Sequence, residues 1–147
     1  MRKINFLDII CVLYAILFVY ASVSKLMAYD EFRAQIGKSP LIMHHEWWIA
    51  WFVPSLELVI ALMLFVPRLQ LIALYGCFAL MFIFTIYIAF MLIFTPDLPC
   101  SCGGVLNKLG WEGHLVFNIG FTFLAVVGIV LWNRAHRIES LVTAARS

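Results

Sequence analysis

Four stretches of this chain are apolar for long enough that no polar stripe survives on either a helix or a strand. They run over about 9–27, 47–66, 71–94 and 115–132. A helix needs about 20 residues to cross a bilayer core, so the pattern predicts membrane-spanning helices over about 4–27, 47–66, 69–94 and 114–133. The third is free of charge throughout; Asp8, Lys25 and Glu57 interrupt or border the others. None alternates apolar and polar with period two, which argues against a membrane β-barrel. The start "MRK" before the first run has the outline of a signal peptide. The run is long for one, however, and no small-x-small site follows, so it reads as an uncleaved first helix.

The connections differ in kind. Residues 28–46 are long and mixed, and "DEFRAQIG" within them predicts a short amphipathic turn of helix with Phe32 and Ile36 facing the membrane. "PRLQ" is a tight turn. Residues 95–113 form a loop entered through "TPDLP", whose prolines stop the third helix. Residues from Asn133 onward are polar and basic and extend the last helix. The expected fold is all-α, a single domain over 1–147 built as a four-transmembrane-helix up-down bundle. Small residues at Ala21, Ser22 and Ser24 allow close approach of the first helix to its neighbours.

Composition agrees: 65% of residues are hydrophobic and 12% charged, against about 45–50% and about 25% in soluble domains. Lipid must therefore be part of the solvent. A net charge of +2 with no Lys/Arg cluster argues against a nucleic-acid partner. Four spans put both ends on one side, which carries Arg2, Lys3, Arg68, Arg134, Arg137 and Arg146, six cations against Lys25, Arg33, Lys38 and Lys108 on the other. That bias predicts cytoplasmic termini, with Trp47, Trp48, Trp51 and Trp111 at the outer interface and Trp132 at the inner. The cysteine loop then faces an oxidising space, where disulfides persist.

The chemistry gathers in "PCSCGGVLNKLGWEGHLVFN". A disulfide between Cys100 and Cys102 closes a small, strained ring, gains little by the loop-entropy argument, and belongs with exchangeable rather than structural bridges. Redox exchange, metal binding and a pair without chemistry all stay open. Gly103-Gly104 lets a partner chain approach. Trp111, His114 and Asn118, at i, i+3 and i+7, share a helix face. There His114 either assists a thiolate or is a helix-start histidine in an aromatic belt, and Asn118 should face protein. Cys11 and Cys77 read as small buried hydrophobes. His44-His45 reads as a surface pair rather than a metal site. Glu57 lies midway along its helix, three residues after Pro54. An intramembrane carboxylate marks a functional or tightly partnered position, with Ser22, Ser24, Tyr20 and Lys25 in possible reach. It serves either as an anchor or in proton or quinone chemistry.

The segments "YASVSKL" and "VPSLELVIALML", with "PCSCGG" before "W" and "HLVFN", resemble the MauE/DoxX group of small four-helix membrane proteins over nearly the whole chain. MauE proteins are linked to methylamine utilisation and to forming the disulfides of the periplasmic small subunit of methylamine dehydrogenase; DoxX relatives include quinone-linked sulfur oxidoreductase subunits. The resemblance implies that Cys100 and Cys102 match the family's cysteine pair and Glu57 its intramembrane acid. It implies a multi-pass protein of the bacterial inner membrane, acting on a periplasmic thiol-containing protein as a thiol–disulfide oxidoreductase or accessory factor. In that role His114 and Glu57 would assist protons or quinone, quinone is the candidate acceptor, and no cofactor would be bound covalently. A hetero-oligomer fits this role. The chain departs from two-stage thiol oxidases in lacking a second outward cysteine pair. The rival expectations are a non-enzymatic subunit or scaffold whose cysteines brace a docking loop, and a lipophilic-ligand or transport protein using Glu57.

Overall fold

The structure, a computed structural model, describes residues 5–38, 44–94 and 110–146. Helix α1 spans Phe6–Met27, α2 Tyr29–Gly37, α3 Glu46–Met63, α4 Gln70–Phe94 and α5 Gly110–Arg146. All but α2 are long and apolar enough to cross a membrane, and no strand occurs among the described residues. The expected all-α, four-span architecture is what forms.

Local chemistry sets the helix ends. At the start of α1, the Asp8 carboxylate accepts a hydrogen bond from the Asn5 backbone N–H at 3.1 Å, satisfying a donor the helix cannot. Helix α3 stops at Met63, short of the expected 66. The chain tightens there, with the N–H groups of Phe65 and Val66 reaching back three residues to Leu62 and Met63, and Pro67 has no N–H to continue the ladder. The last helix meets no proline or glycine after Gly128, so the extension expected from Asn133 stays helical and runs unbroken to Arg146.

The four spans close a ring in chain order: α1 packs on α3, α3 on α4, α4 on α5 and α5 on α1. Neighbours run antiparallel. Along α1 and α5, Tyr14 meets Phe121 while Ile10, one turn earlier, faces Gly128, two turns later. Small residues line the seams, as close helix packing in lipid requires. A Cβ on Gly128 would lie 3.1 Å from Leu74 and 3.3 Å from Ile10, and one on Gly76 would lie 3.0 Å from Ile60. Ser22 is fully buried and donates to the Pro54 carbonyl at 2.8 Å, fixing α1 against α3.

The apolar core fills only one half of the bundle, the half near the two termini. Ile10, Tyr14, Phe18, Ala61, Leu74 and Cys77 form its centre. The Tyr14 ring meets Phe18 and Phe121 edge-on at 5.6 and 5.4 Å, and its hydroxyl donates to the Phe121 carbonyl. Cys11 and Cys77 are buried in the same cluster as free thiols, with Gln70 Nε2 donating to Cys11 Sγ at 3.2 Å. Outward, Ile16, Phe52, Leu62, Ile72 and Phe123 are exposed. No more than 33% of the most apolar window of any span is buried, so most of each span faces lipid.

Candidate functional site

The other half of the bundle, toward the two long connections, encloses a cavity of about 310 Å³. Each helix contributes one stripe at helical spacing. Leu17, Ala21 and Lys25 come from α1, Phe32, Gln35 and Ile36 from α2, and Ile49, Val53 and Glu57 from α3. Helix α4 gives Met81, Ile83, Phe84, Tyr87 and Ile88, and α5 gives His114, Phe117 and Asn118. Helix α2 lies against α3 and α1 and walls the cavity with its buried face. Its exposed Arg33 pairs with Glu46 at the start of α3 at 3.3 Å, an exposed contact of the kind that adds little stability.

Glu57 is 1% exposed. Its Oε1 receives the Lys25 ammonium at 2.6 Å, and the Lys25 side chain is itself only 11% exposed. The ammonium also stands 5.4 Å from the Phe84 ring centre and 5.9 Å from that of Phe32, within the range in which an aromatic face attracts a cation. A carboxylate alone in this position would be very costly; the pairing makes its burial tenable. The second oxygen, Oε2, is buried without a hydrogen-bond partner, and so is Gln35 Oε1.

His114 and Asn118 are 8% and 3% exposed. The Asn118 amide donates to the His114 carbonyl one turn earlier at 2.8 Å, and the Asn118 carbonyl in turn accepts from Thr122. This local capping of backbone acceptors turns a polar run inward at the start of α5. The expectation that Asn118 faces protein is met, and the face it shares with His114 is a cavity wall.

Of the four residues singled out from the sequence, Glu57 and His114 line one cavity. Cys100 and Cys102, with Lys108, lie outside the described residues, as does the side chain of Trp111. The loop that carries the cysteines joins Phe94 to Gly110, four residues before His114. Lys25, among the residues expected within reach of Glu57, pairs with it directly by using the length of its side chain. Sequence reasoning missed Gln35. It sits between Phe32 and Ile36, whose face, expected toward the membrane, instead turns into the bundle against α3 and α1. Among the described residues, no three His, Cys, Asp or Glu side chains converge as a metal site would need.

A family model described as methylamine utilisation protein MauE matches residues 3–131, which takes in the first three spans, the cysteine loop and the first part of α5. Comparison with curated proteins and with solved structures gave no significant match.

Proposed function

The chain belongs to the MauE family, a multi-pass membrane protein of the methylamine-utilisation type, and from that premise we propose that it supports thiol–disulfide exchange in a partner protein outside the cytoplasm. In this reading the Cys100–Cys102 disulfide accepts two electrons and two protons from a partner dithiol. One partner thiolate attacks a sulfur of the pair, a mixed disulfide forms, and the second partner thiolate displaces it. The partner leaves oxidised and Cys100 and Cys102 remain as thiols. A lipid-soluble quinone serves as the oxidant that restores the pair, taking up the same two electrons and two protons and leaving as hydroquinone. Thiolates carry each attack, and His114 and Glu57 exchange the protons. The protein sits in the bacterial inner membrane with both termini cytoplasmic and works beside its partner as a hetero-oligomer.

One observation carries most of this reading. The acid in the middle of α3 and the histidine just after the cysteine loop share a single cavity, although 57 residues of sequence separate them. A pure packing anchor needs no cavity beside it. The rival reading is a non-enzymatic subunit, and it draws on the Lys25–Glu57 pair and the Ser22–Pro54 bond, which together rivet α1 to α3. There the cysteines only brace a docking loop.

Trapping separates the two. Cells carrying Cys100→Ser or Cys102→Ser are quenched with acid and alkylated, and disulfide-linked adducts are identified by mass spectrometry. Exchange predicts a mixed disulfide with a periplasmic protein in one of the two variants and none in the double variant. A double serine variant that retains full function in its host leaves the scaffold.

A further inference from the structure

The cavity has walls that specify an occupant. It lies at the lower end of the volumes that hold small molecules, room for one substituted ring rather than a large ligand. Two acceptor atoms, Glu57 Oε2 and Gln35 Oε1, face burial bare, in residues 1% and 7% exposed. Bare acceptors in a low-dielectric space are costly, and an occupant that donates a hydrogen bond removes that cost. Charge narrows the choice. Lys25 already neutralises Glu57 at 2.6 Å, so a cationic ligand would add an unbalanced charge beside an ammonium, whereas a neutral hydroxyl would not.

Shape narrows it further. Phe84, Phe117 and Phe32 contribute to the walls, and such faces favour a flat aromatic ring. Ile83 both lines the cavity and is 57% exposed on the outside of α4. The cavity therefore reaches the lipid-facing surface, where a long apolar tail can leave the bundle.

We propose that this cavity binds the ring of a lipid-soluble phenol of the hydroquinone class, its hydroxyl donating to Glu57 Oε2 while Lys25 holds the carboxylate in place. The choice of hydroquinone among phenols rests on the redox reading above, in which it is the reduced form of the acceptor. The oxidised form offers only carbonyl acceptors and meets Glu57 Oε2 acceptor to acceptor. Donors on the same walls, Lys25, Gln35 and Tyr87, serve the oxygens of either form, so the bare acceptor is what tips the site toward the reduced ring. Tighter binding of the reduced form makes the bound quinone a stronger oxidant, the direction needed to draw electrons from a dithiol.

The test uses full-length protein in nanodiscs with Cys100 and Cys102 both changed to serine, so that binding is read without turnover. Calorimetric titration compares tetramethylhydroquinone with tetramethylbenzoquinone under anaerobic conditions. The expected result is saturable binding of the hydroquinone, about tenfold or more tighter than the quinone. Glu57→Gln, which turns an amide N–H toward the ring while its oxygen stays with Lys25, should abolish or reverse that preference. Ala21→Phe, which fills the cavity from α1 and leaves every polar group in place, should remove binding of both, with helicity checked by circular dichroism. No saturable binding of the hydroquinone, equal affinity for the two forms, or binding by Ala21→Phe equal to that of its parent overturns the site. Because the cysteines are absent, binding here together with failed trapping sinks the exchange reading alone, and trapping without binding sinks the cavity site alone.

Discussion

Lys25 and Glu57 meet by reaching across the level at which their helices are riveted. Ser22 bonds to the Pro54 carbonyl. From that level α1 carries Lys25 one turn toward the long connections, while antiparallel α3 carries Glu57 about one turn the other way. The ammonium still arrives 2.6 Å from Oε1. Only a long, flexible side chain spans that offset, and it does so by turning inward, away from the water at the membrane surface that a terminal lysine ordinarily seeks.

Removing one member of this pair strands the other in the bundle. Lys25→Met is expected to destabilise the protein by about 3–5 kcal/mol, the range for breaking a buried ion pair. Lys25→Met with Glu57→Leu should recover most of that loss, because no buried charge remains. Thermal unfolding in detergent micelles gives both numbers. A double variant no more stable than Lys25→Met shows that a stranded Glu57 carboxylate is not the source of the loss.

The seam at Gly128 gives a steric prediction. Its Cβ position lies within 3.3 Å of both Leu74 and Ile10, whereas that of Gly120, on the same helix, meets nothing within 4 Å. Gly128→Val should push α5 off α4 and α1 at a cost of about 1–3 kcal/mol, as overpacking does. Gly120→Ala should be neutral or slightly stabilising, through helix propensity. Equal melting shifts for the two would remove close packing at Gly128 from the account.

Glu57→Gln separates anchoring from proton handling. The amide keeps the shape and an oxygen for Lys25, so expression and insertion should stay near normal. If Glu57 carries protons, restoration of the Cys100–Cys102 disulfide after reduction should slow sharply. Alkylation of the pair at timed intervals reads this directly, and unchanged reoxidation returns Glu57 to an anchoring role.

Topology is tested by labelling. On a background with Cys100 and Cys102 changed to serine, Lys108→Cys should react with an impermeant maleimide in intact spheroplasts. Arg137→Cys should react only after lysis. The reverse pattern inverts the protein in the membrane.

The spans are legible in the sequence because lipid imposes a length and composition that no tertiary contact can override. Glu57 is equally legible, since a carboxylate in the middle of an apolar run needs a reason. The cavity is not. It arises where five stripes meet, and neither the ring order of the helices nor the placing of α2 over the α1–α3 seam is written in any one segment. The same gap explains Lys25. Its sequence position marks it as interfacial, and only the antiparallel offset of α1 and α3 makes Glu57 its partner. The extension of α5 is legible for a plain reason: polarity from Asn133 onward marks where lipid ends, and no proline or glycine there ends the hydrogen-bond ladder.

At about 1.5 Å per residue, the 37 residues of α5 make a rod about 55 Å long, against a hydrocarbon core of about 30 Å. One end abuts the cysteine loop and bears His114; the other stands well clear of the opposite membrane face. A tilt of α5 at its His114 end would swing the far tip, with Arg134 and Arg137 on it, through an arc in the aqueous space beyond. The helix that lines the cavity with His114 is thus the same continuous element that carries Arg134 and Arg137 past the far edge of the bilayer.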